Sequence, residues 1–350
     1  MFKKESKTGA VTNKKSGLSD TNALLVITLV IFVLMYTGAI TILGGQFTKW
    51  QTFFNILNGN AYLIILACGM SIVMICGGID ISLGGLTGLV TVACAVYLDE
   101  KGGSILVSVG IAICIGLAFG IVQGFLVAYL DIQPFIVSLA GMFFARGLAH
   151  IIRSAPFNVA SETFNSLKET RIYISFLGSV NKKGVFVPAY IEIGVIIAIC
   201  VAALMFMMMK WTRLGRNFYA VGGNRHSALM LGINVKRTKF LSHIICSLLG
   251  GLGAYVYFLH IGSGSGSNAS GAEMDAIASS IIGGVMLTGG VGNIMGTFFG
   301  VLSLATIKSI VSAAGFNDPW WTNITVAIML CFFLVIQSVV MARKKKAAKK

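Results

Sequence analysis

Ten stretches of roughly twenty apolar residues follow one another along this chain, at 23–45, 56–76, 81–98, 104–130, 134–152, 190–210, 239–260, 273–289, 291–314 and 320–341. A run of that length spans the hydrocarbon of a bilayer as helix, and backbone in lipid must satisfy its own hydrogen bonds. The expected fold is therefore all-α: a polytopic membrane helix bundle of about ten transmembrane helices. The runs at 81–98 and 273–289 are short for this role. Composition agrees, since 56% hydrophobic and 11% charged residues with a mean hydropathy of +0.86 describe an exterior that faces lipid. The polar gaps at 153–189 and 211–238 are too short for a second core. One membrane domain over 23–341 is expected, between basic tails at 1–22 and 342–350. The first run follows a polar tail without a small-residue cleavage site and is read as a retained helix.

Charge placement predicts orientation. The formal net charge is +15, and eleven of the basic residues lie in the two tails, from Lys3 to Lys15 and from Arg343 to Lys350. Seven more fall between Lys210 and Lys239 with no acid among them. Basic residues flanking spans stay cytoplasmic. Both termini and the loop 211–238 are thus expected inside, and 153–189 outside, which an even count of ten satisfies. Beside membrane spans these clusters point to lipid, not to nucleic acid.

Little in the sequence suggests chemistry. The seven cysteines all fall within apolar runs with no C-x-x-C pair, so they are expected to be small buried hydrophobes. The four histidines are scattered, and no metal site is expected. There is no G-x-x-x-x-G-K-[ST] and no nucleophile–base motif, so neither a bound nucleotide nor a hydrolytic activity is expected of this chain.

Two glycine-rich zones interrupt the spans. In "MICGGIDISLGGLTGLV", glycine pairs flank Asp80, with Ser82 following. A carboxyl at membrane depth is costly and faces a partner or a water-filled path. A solvated cytoplasmic turn, with Asp80 capping the next helix, is the other reading. In "GAEMDAIASSIIGGVMLTGGVGNIMG", Glu273 and Asp275 open a helix at its favourable end, and small residues allow close helix contact. Arg146, His150 and Glu192 are further polar groups toward the outer half, and Lys308 is expected to snorkel outward. "GSGSGSNASG" at 262–271 reads as a flexible outer loop.

The loop "WTRLGRNFYAVGGNRHSALMLGINVKR" predicts a turn at Gly222–Gly223, a short basic helix from Asn224 to Leu231 and a stop at Gly232. Such a helix either docks on a protein or anchors to anionic lipid. The run "YAVGGNRHSALMLGI" resembles the ATPase-docking loop of bacterial ABC sugar-importer permeases of the ribose/xylose/galactoside class. "GGIDISLGG" and "DAIASSIIGGVMLTGGVGNIMGT" are similar to two further segments of that class, in the same order. "LAGMFFARG", "GAEMDAIASSIIGG" and "WWT" at 320–322 look most like its galactofuranose branch in enteric bacteria.

The resemblance implies a permease in the bacterial inner membrane, without a cofactor of its own. It implies three partners: a cytoplasmic ATPase that binds ATP, a second permease subunit (paralogue or identical copy) and an extracytoplasmic sugar-binding protein. Asn224, Arg225, His226, Ala228, Leu229, Gly232 and Ile233 would form the ATPase coupling helix. Arg225 and His226 depart from the acidic or small residues frequent there. Asp80, Ser82, Arg146, Glu273 and Asp275 are candidates for the translocation path or gate. Two other readings remain at this point: an ion-coupled secondary transporter using Asp80 or Glu192, and a membrane-embedded enzyme using Asp80, Glu273 and Asp275.

Overall fold

A computed structural model describes residues 20–180, 186–316 and 318–348. The basic residues of the first tail lie outside the described residues. The described chain begins with α1 (Asp20–Leu43), a 3-10 turn at Gly44–Gln46, and α2 (Trp50–Ile75). Three more long helices follow: α3 (Ser82–Glu100), α4 (Ile105–Ala128) and α5 (Pro134–Ile152). The polar gap then holds strand β1 (Phe157–Asn158), α6 (Glu162–Lys168) and a hairpin of β2 (Arg171–Val180) with β3 (Phe186–Glu192). Next come α7 (Ile193–Trp211), α8 (Arg213–Gly223), α9 (Arg225–Met230) and α10 (Val235–Ile261). The chain closes with β4 (Ser263–Gly264), α11 (Ala272–Ile282), α12 (Ile294–Ala313) and α13 (Pro319–Ala348).

Eight of these helices are long and apolar enough to cross a membrane among the described residues: α1, α2, α3, α4, α5, α7, α10 and α12. The apolar part of α13, Trp320–Ile336, is shorter. Its helix runs on to Ala348, so residues 342–348 of the second tail extend the last helix. The expected span at 273–289 is not a continuous helix, because α11 stops at Ile282 and leaves Gly283–Asn293 irregular. This crossing is instead built from the turns of 265–271 followed by the short α11. The reason is composition: five glycines between 283 and 293 cost helix stability at about 1 kcal/mol each relative to alanine.

α2 is the central helix. Every residue from Leu63 to Cys76 is buried, on all sides, as a helix apolar all round must be. It packs against α10, α12, α11 and α7. The outer helices keep apolar side chains exposed, such as Leu106 on α4, Phe143 and Phe144 on α5 and Leu204 on α7. Such surfaces face either lipid or another membrane subunit.

Helices that cannot gain by hiding oil from water associate by close packing of small residues. The α4–α10 contact shows it. Gly116, Gly120 and Gly124 recur every four residues on α4, facing α10. A Cβ at Gly116 would lie 2.5 Å from Ser247 O, and one at Gly251 would lie 2.3 Å from Ala112 O. Between α2, α11 and α12, hydroxyls meet in the packed interface: Ser71 Oγ of α2 lies 3.0 Å from Ser280 Oγ of α11 and 2.6 Å from Thr297 Oγ1 of α12.

The bundle has two distinct ends. One gathers the α2–α3 junction, the α4–α5 junction at Asp131, the α8–α9 loop and the 283–293 turn. Seven basic residues crowd there, and it is called the basic end below. The other carries β1 paired with β4, α6 and the β2–β3 hairpin. That hairpin is tied to α2, since Tyr190 N–H donates to Gln51 Oε1 (2.9 Å) and Glu192 N–H to Asn58 Oδ1 (3.0 Å).

Candidate translocation path and coupling site

The broken crossing after α10 is the first unusual element. Its segment 265–271, expected to be a flexible loop, is instead packed against the middle of α3 and α5. Asn268 Nδ2 donates to Thr91 Oγ1 (3.3 Å) and Ser263 O (3.0 Å), and Ala269 N–H donates to Tyr257 Oη (3.2 Å). Arg146 Nη1 donates to Gly266 O at 2.8 Å. Non-helical backbone at this depth persists only where protein or a water-filled path satisfies it. α11 then starts beyond Gly271, with Glu273 in its first turn. Glu273 is buried and abuts Gly84 of α3, where any Cβ would overlap its carboxyl. Its Oε2 has no hydrogen-bond partner within the chain. Asp275, two residues along in the same turn, is bonded by Lys308 Nζ of α12. Lys308 therefore forms an ion pair with a neighbouring helix instead of only reaching outward.

Asp80 lies at the basic end, yet it is fully buried. The solvated-turn reading fails on that point, although the capping part of it holds. Asp80 Oδ1 accepts from Ser82 N–H at 3.0 Å and Ser82 Oγ at 2.6 Å, at the start of α3. Ser247 Oγ of α10 approaches Oδ2 at 3.5 Å, and Gln123 Nε2 of α4 donates to Ser82 Oγ at 2.9 Å. Three helices and a junction are thus joined by one polar network. Gln123 Oε1 and His243 Nδ1 remain unpartnered beside it. A cavity of about 10 Å³, lined in part by Gly77, Gly78 and His243, lies alongside. That is room for no more than one water, so no solute passes here in this conformation.

The loop at the basic end differs from its expected form. Gly222 and Gly223 do not make a turn; they end helix α8, and the break falls at Asn224. Asn224 Oδ1 accepts from Ser227 N–H (2.9 Å), a cap worth about 1 kcal/mol. α9 ends as expected at Gly232, whose φ of +77° lets its N–H reach Leu229 O (2.9 Å) and Ile233 N–H reach Ala228 O (3.0 Å). Between these caps the faces are sharply divided. Ala228 is buried, while Leu229, Met230 and Leu231 are 51%, 79% and 78% exposed. Arg225 pairs with Asp131 at 3.2 Å, both well exposed, and His226 is exposed.

α8 is clamped to the bundle by a joint of three glycine pairs. Gly290 N–H donates to Ile75 O at 2.8 Å, and a Cβ on Gly222 would lie 1.8 Å from the same oxygen. A Cβ on Gly289 would be 3.0 Å from Gly77 Cα and 2.8 Å from Gly222 O. Tyr219 Oη donates to Gly292 O at 2.9 Å, and burial pushes the pKa of that phenol up to about 12. The exposed helix α9 therefore continues from an element that touches both the junction before Asp80 and the turn after α11.

Of the expected path residues, Asp80 and Ser82 share one network, Arg146 and Glu273 flank the broken crossing, and Asp275 is held apart by Lys308. No contact joins Asp80 to Glu273 or Asp275, so the three acids do not form a catalytic group. Glu192 pairs with His260 Nδ1 at 2.7 Å beneath the hairpin, far from Asp80 in the fold. Among the described residues no three His, Cys, Asp or Glu side chains group as metal ligands. Of the cysteines, four are buried as expected, but Cys114, Cys200 and Cys331 are exposed on outer helices. Gln123, Ser247 and the glycines at 289–290 are the site residues that sequence reasoning missed. Gln123 had a signal, as the lone amide in the apolar run 104–130.

Residues 52–334 match the family described as "Branched-chain amino acid transport system / permease component". The chain belongs to this family. It is 34% identical over 316 residues to the inner membrane ABC transporter permease protein YjfF of Escherichia coli, covering 90% of this chain and 92% of that protein. It is 34% identical to the fructose import permease protein FruG of Bifidobacterium longum, over 89% of this chain and 90% of that one. The ribose import permease protein RbsC of Escherichia coli is 30% identical, over 87% and 91%. No solved structure matches the chain. This is a multi-pass membrane permease of the ABC transporter class: a transport subunit, not an enzyme, that works with ATPase and substrate-delivering partners.

Proposed function

We propose that this permease imports a monosaccharide, and that α9 is where the ATPase subunit drives it. The substrate class rests on the fructose and ribose import permeases it resembles. The observation that carries the mechanism is the apolar face of Leu229, Met230 and Leu231, exposed at the basic end on a helix capped at both termini. Charge asymmetry supports a cytoplasmic position for this end, where water leaves such a face uncovered unless protein sits on it. ATP is bound by that partner, and the chain needs no cofactor of its own.

The path is assigned to the outer face beside α5, where polar side chains stand among exposed apolar ones. There Arg146 is half-buried, Gly147 has open space in front of it, and His150 is exposed. Polar groups facing hydrocarbon at this depth cost several kcal/mol at least, so a second permease subunit, paralogue or identical copy, covers them across a wet path. Arg146, Glu273 and the 265–271 turns then line the path, and Asp80 with Ser82 braces the gate end. An extracytoplasmic sugar-binding protein delivers substrate at the opposite end.

The assembled transporter, purified with its binding protein and reconstituted into vesicles, tests the substrate class. ATP-dependent uptake is expected for one of galactofuranose, fructose, ribose or galactose. Uptake of leucine or valine with none of the sugars would overturn it in favour of the family's broader description.

A further inference from the structure

A crevice of about 520 Å³ opens at the basic end between α1, α7, α8 and the start of α12. Its walls are of two kinds. Leu25, Phe206 and Met209 give it an apolar side toward the bilayer, while Lys210, Arg216 and Asn293 give it a polar rim. Lys210 stands in the last turn of a spanning helix, at the depth where lipid headgroups begin. Its Nζ lies over the rings of Phe206 (5.3 Å) and Trp211 (5.5 Å), and Arg216 Nη1 donates only to Trp211 O at 3.4 Å. Neither cation has a carboxylate partner among the described residues, although four other ion pairs form in them. The first turn of α12 also borders the crevice, adding the positive end of its dipole.

Two cations without a carboxylate partner among the described residues, above an apolar wall at headgroup depth, match one ligand chemistry: a phosphodiester carrying acyl chains. We propose that this crevice binds an anionic phospholipid, its phosphate on Lys210 and Arg216 and its chains along Leu25, Phe206 and Met209. A soluble anion would gain nothing from the apolar wall, and a zwitterionic lipid would bring its own cation to the two basic groups. The bound lipid would brace α8 against α12, next to the Tyr219–Gly292 bond. This proposal rests on membrane insertion alone and not on the identity of the transported solute.

The test titrates delipidated full-length permease with dioleoylphosphatidylglycerol, with dioleoylphosphatidylcholine and with inorganic phosphate, reading bound lipid by native mass spectrometry. Each basic group near a headgroup contributes about 1 kcal/mol, so Lys210→Gln/Arg216→Gln should weaken phosphatidylglycerol binding roughly 25-fold. Phosphatidylcholine binding should be unchanged in the same variant, which separates the effect from misfolding. Lys210→Arg/Arg216→Lys should retain phosphatidylglycerol, and Arg213→Gln, outside the crevice, should bind it as the parent does. Equal phosphatidylglycerol affinity in the Gln variant and the parent overturns the proposal. So does inorganic phosphate competing as well as the lipid.

Discussion

Alanine at Gly222 should be damaging and alanine at Gly223 tolerated, although the two residues are neighbours at the end of α8. A Cβ at Gly222 would sit 1.8 Å from Ile75 O and 2.8 Å from Gly290 N, both of them backbone atoms that no rotamer change can move. Bringing the first contact beyond 3.0 Å requires a shift of about 1.2 Å between α8 and the α2–α3 junction. Overpacking of this kind costs about 1–3 kcal/mol, and about 1.4 kcal/mol falling on the docked arrangement of α8 already lowers its population tenfold. At Gly223 the nearest atom, Gly290 Cα, would be 3.9 Å away, an ordinary contact, so alanine there is neutral or slightly stabilising. Both variants would be reconstituted with the partner subunits. Sugar uptake and substrate-stimulated ATP hydrolysis would be normalised to assembled complex. Gly222→Ala should bind the ATPase yet lose about tenfold in stimulated uptake, while Gly223→Ala matches the parent. Equal activity in the two variants, whether high or low, would refute the glycine joint as the link between coupling helix and gate.

On α9, Met230→Asp should abolish association with the ATPase while leaving the permease folded and inserted, as shown by co-purification and thermal unfolding. Ala228→Glu should instead destabilise the permease itself by about 3 kcal/mol or more, because it buries an unpaired charge in the chain's own core. Asp80→Asn keeps the bonds from Ser82 and should retain most transport. Asp80→Leu leaves the Ser82 N–H and Oγ–H donors without their acceptor at a cost of about 1–3 kcal/mol each and should lose both stability and uptake. Uptake that is equal in the two Asp80 variants would remove Asp80 from the gate. Gln123→Leu should lower the unfolding temperature and impair uptake in the same direction as Asp80→Leu; independence of the two substitutions in a double-mutant cycle would show that they share no network.

The helical crossings were legible because apolar length is a sufficient signal for a span. The one missed, 273–289, has the apolar content of a span but too much glycine to hold a helix past Ile282. The α9 caps were legible as well, since Asn224 and Gly232 act through contacts within a few residues. What escaped the sequence is whatever depends on which face points where. Ala228 stood out as a small residue in a docking helix, but only the fold shows that α9 turns it inward and turns Leu229–Leu231 outward. The glycine pairs at 77, 222 and 289 are far apart in the chain, and each alone resembles a turn. Their meeting is a property of three junctions stacked at one end of the bundle. Asp80 was marked by its cost in lipid, but the groups that complete its network, Ser247 on Asp80 and Gln123 on Ser82, come from helices over forty residues away.

In the proposed mechanism, ATP hydrolysis by a partner subunit docked on the exposed face of α9 powers movement of a sugar along this permease. The most direct test is uptake of the identified sugar into vesicles holding the permease, its partner subunits and binding protein, with ATP supplied only on the side of α9 and the proton gradient collapsed. Uptake should proceed, and should stop with Met230→Asp. Uptake that persists without ATP, or that needs a proton or sodium gradient and ignores Met230→Asp, would contradict the account.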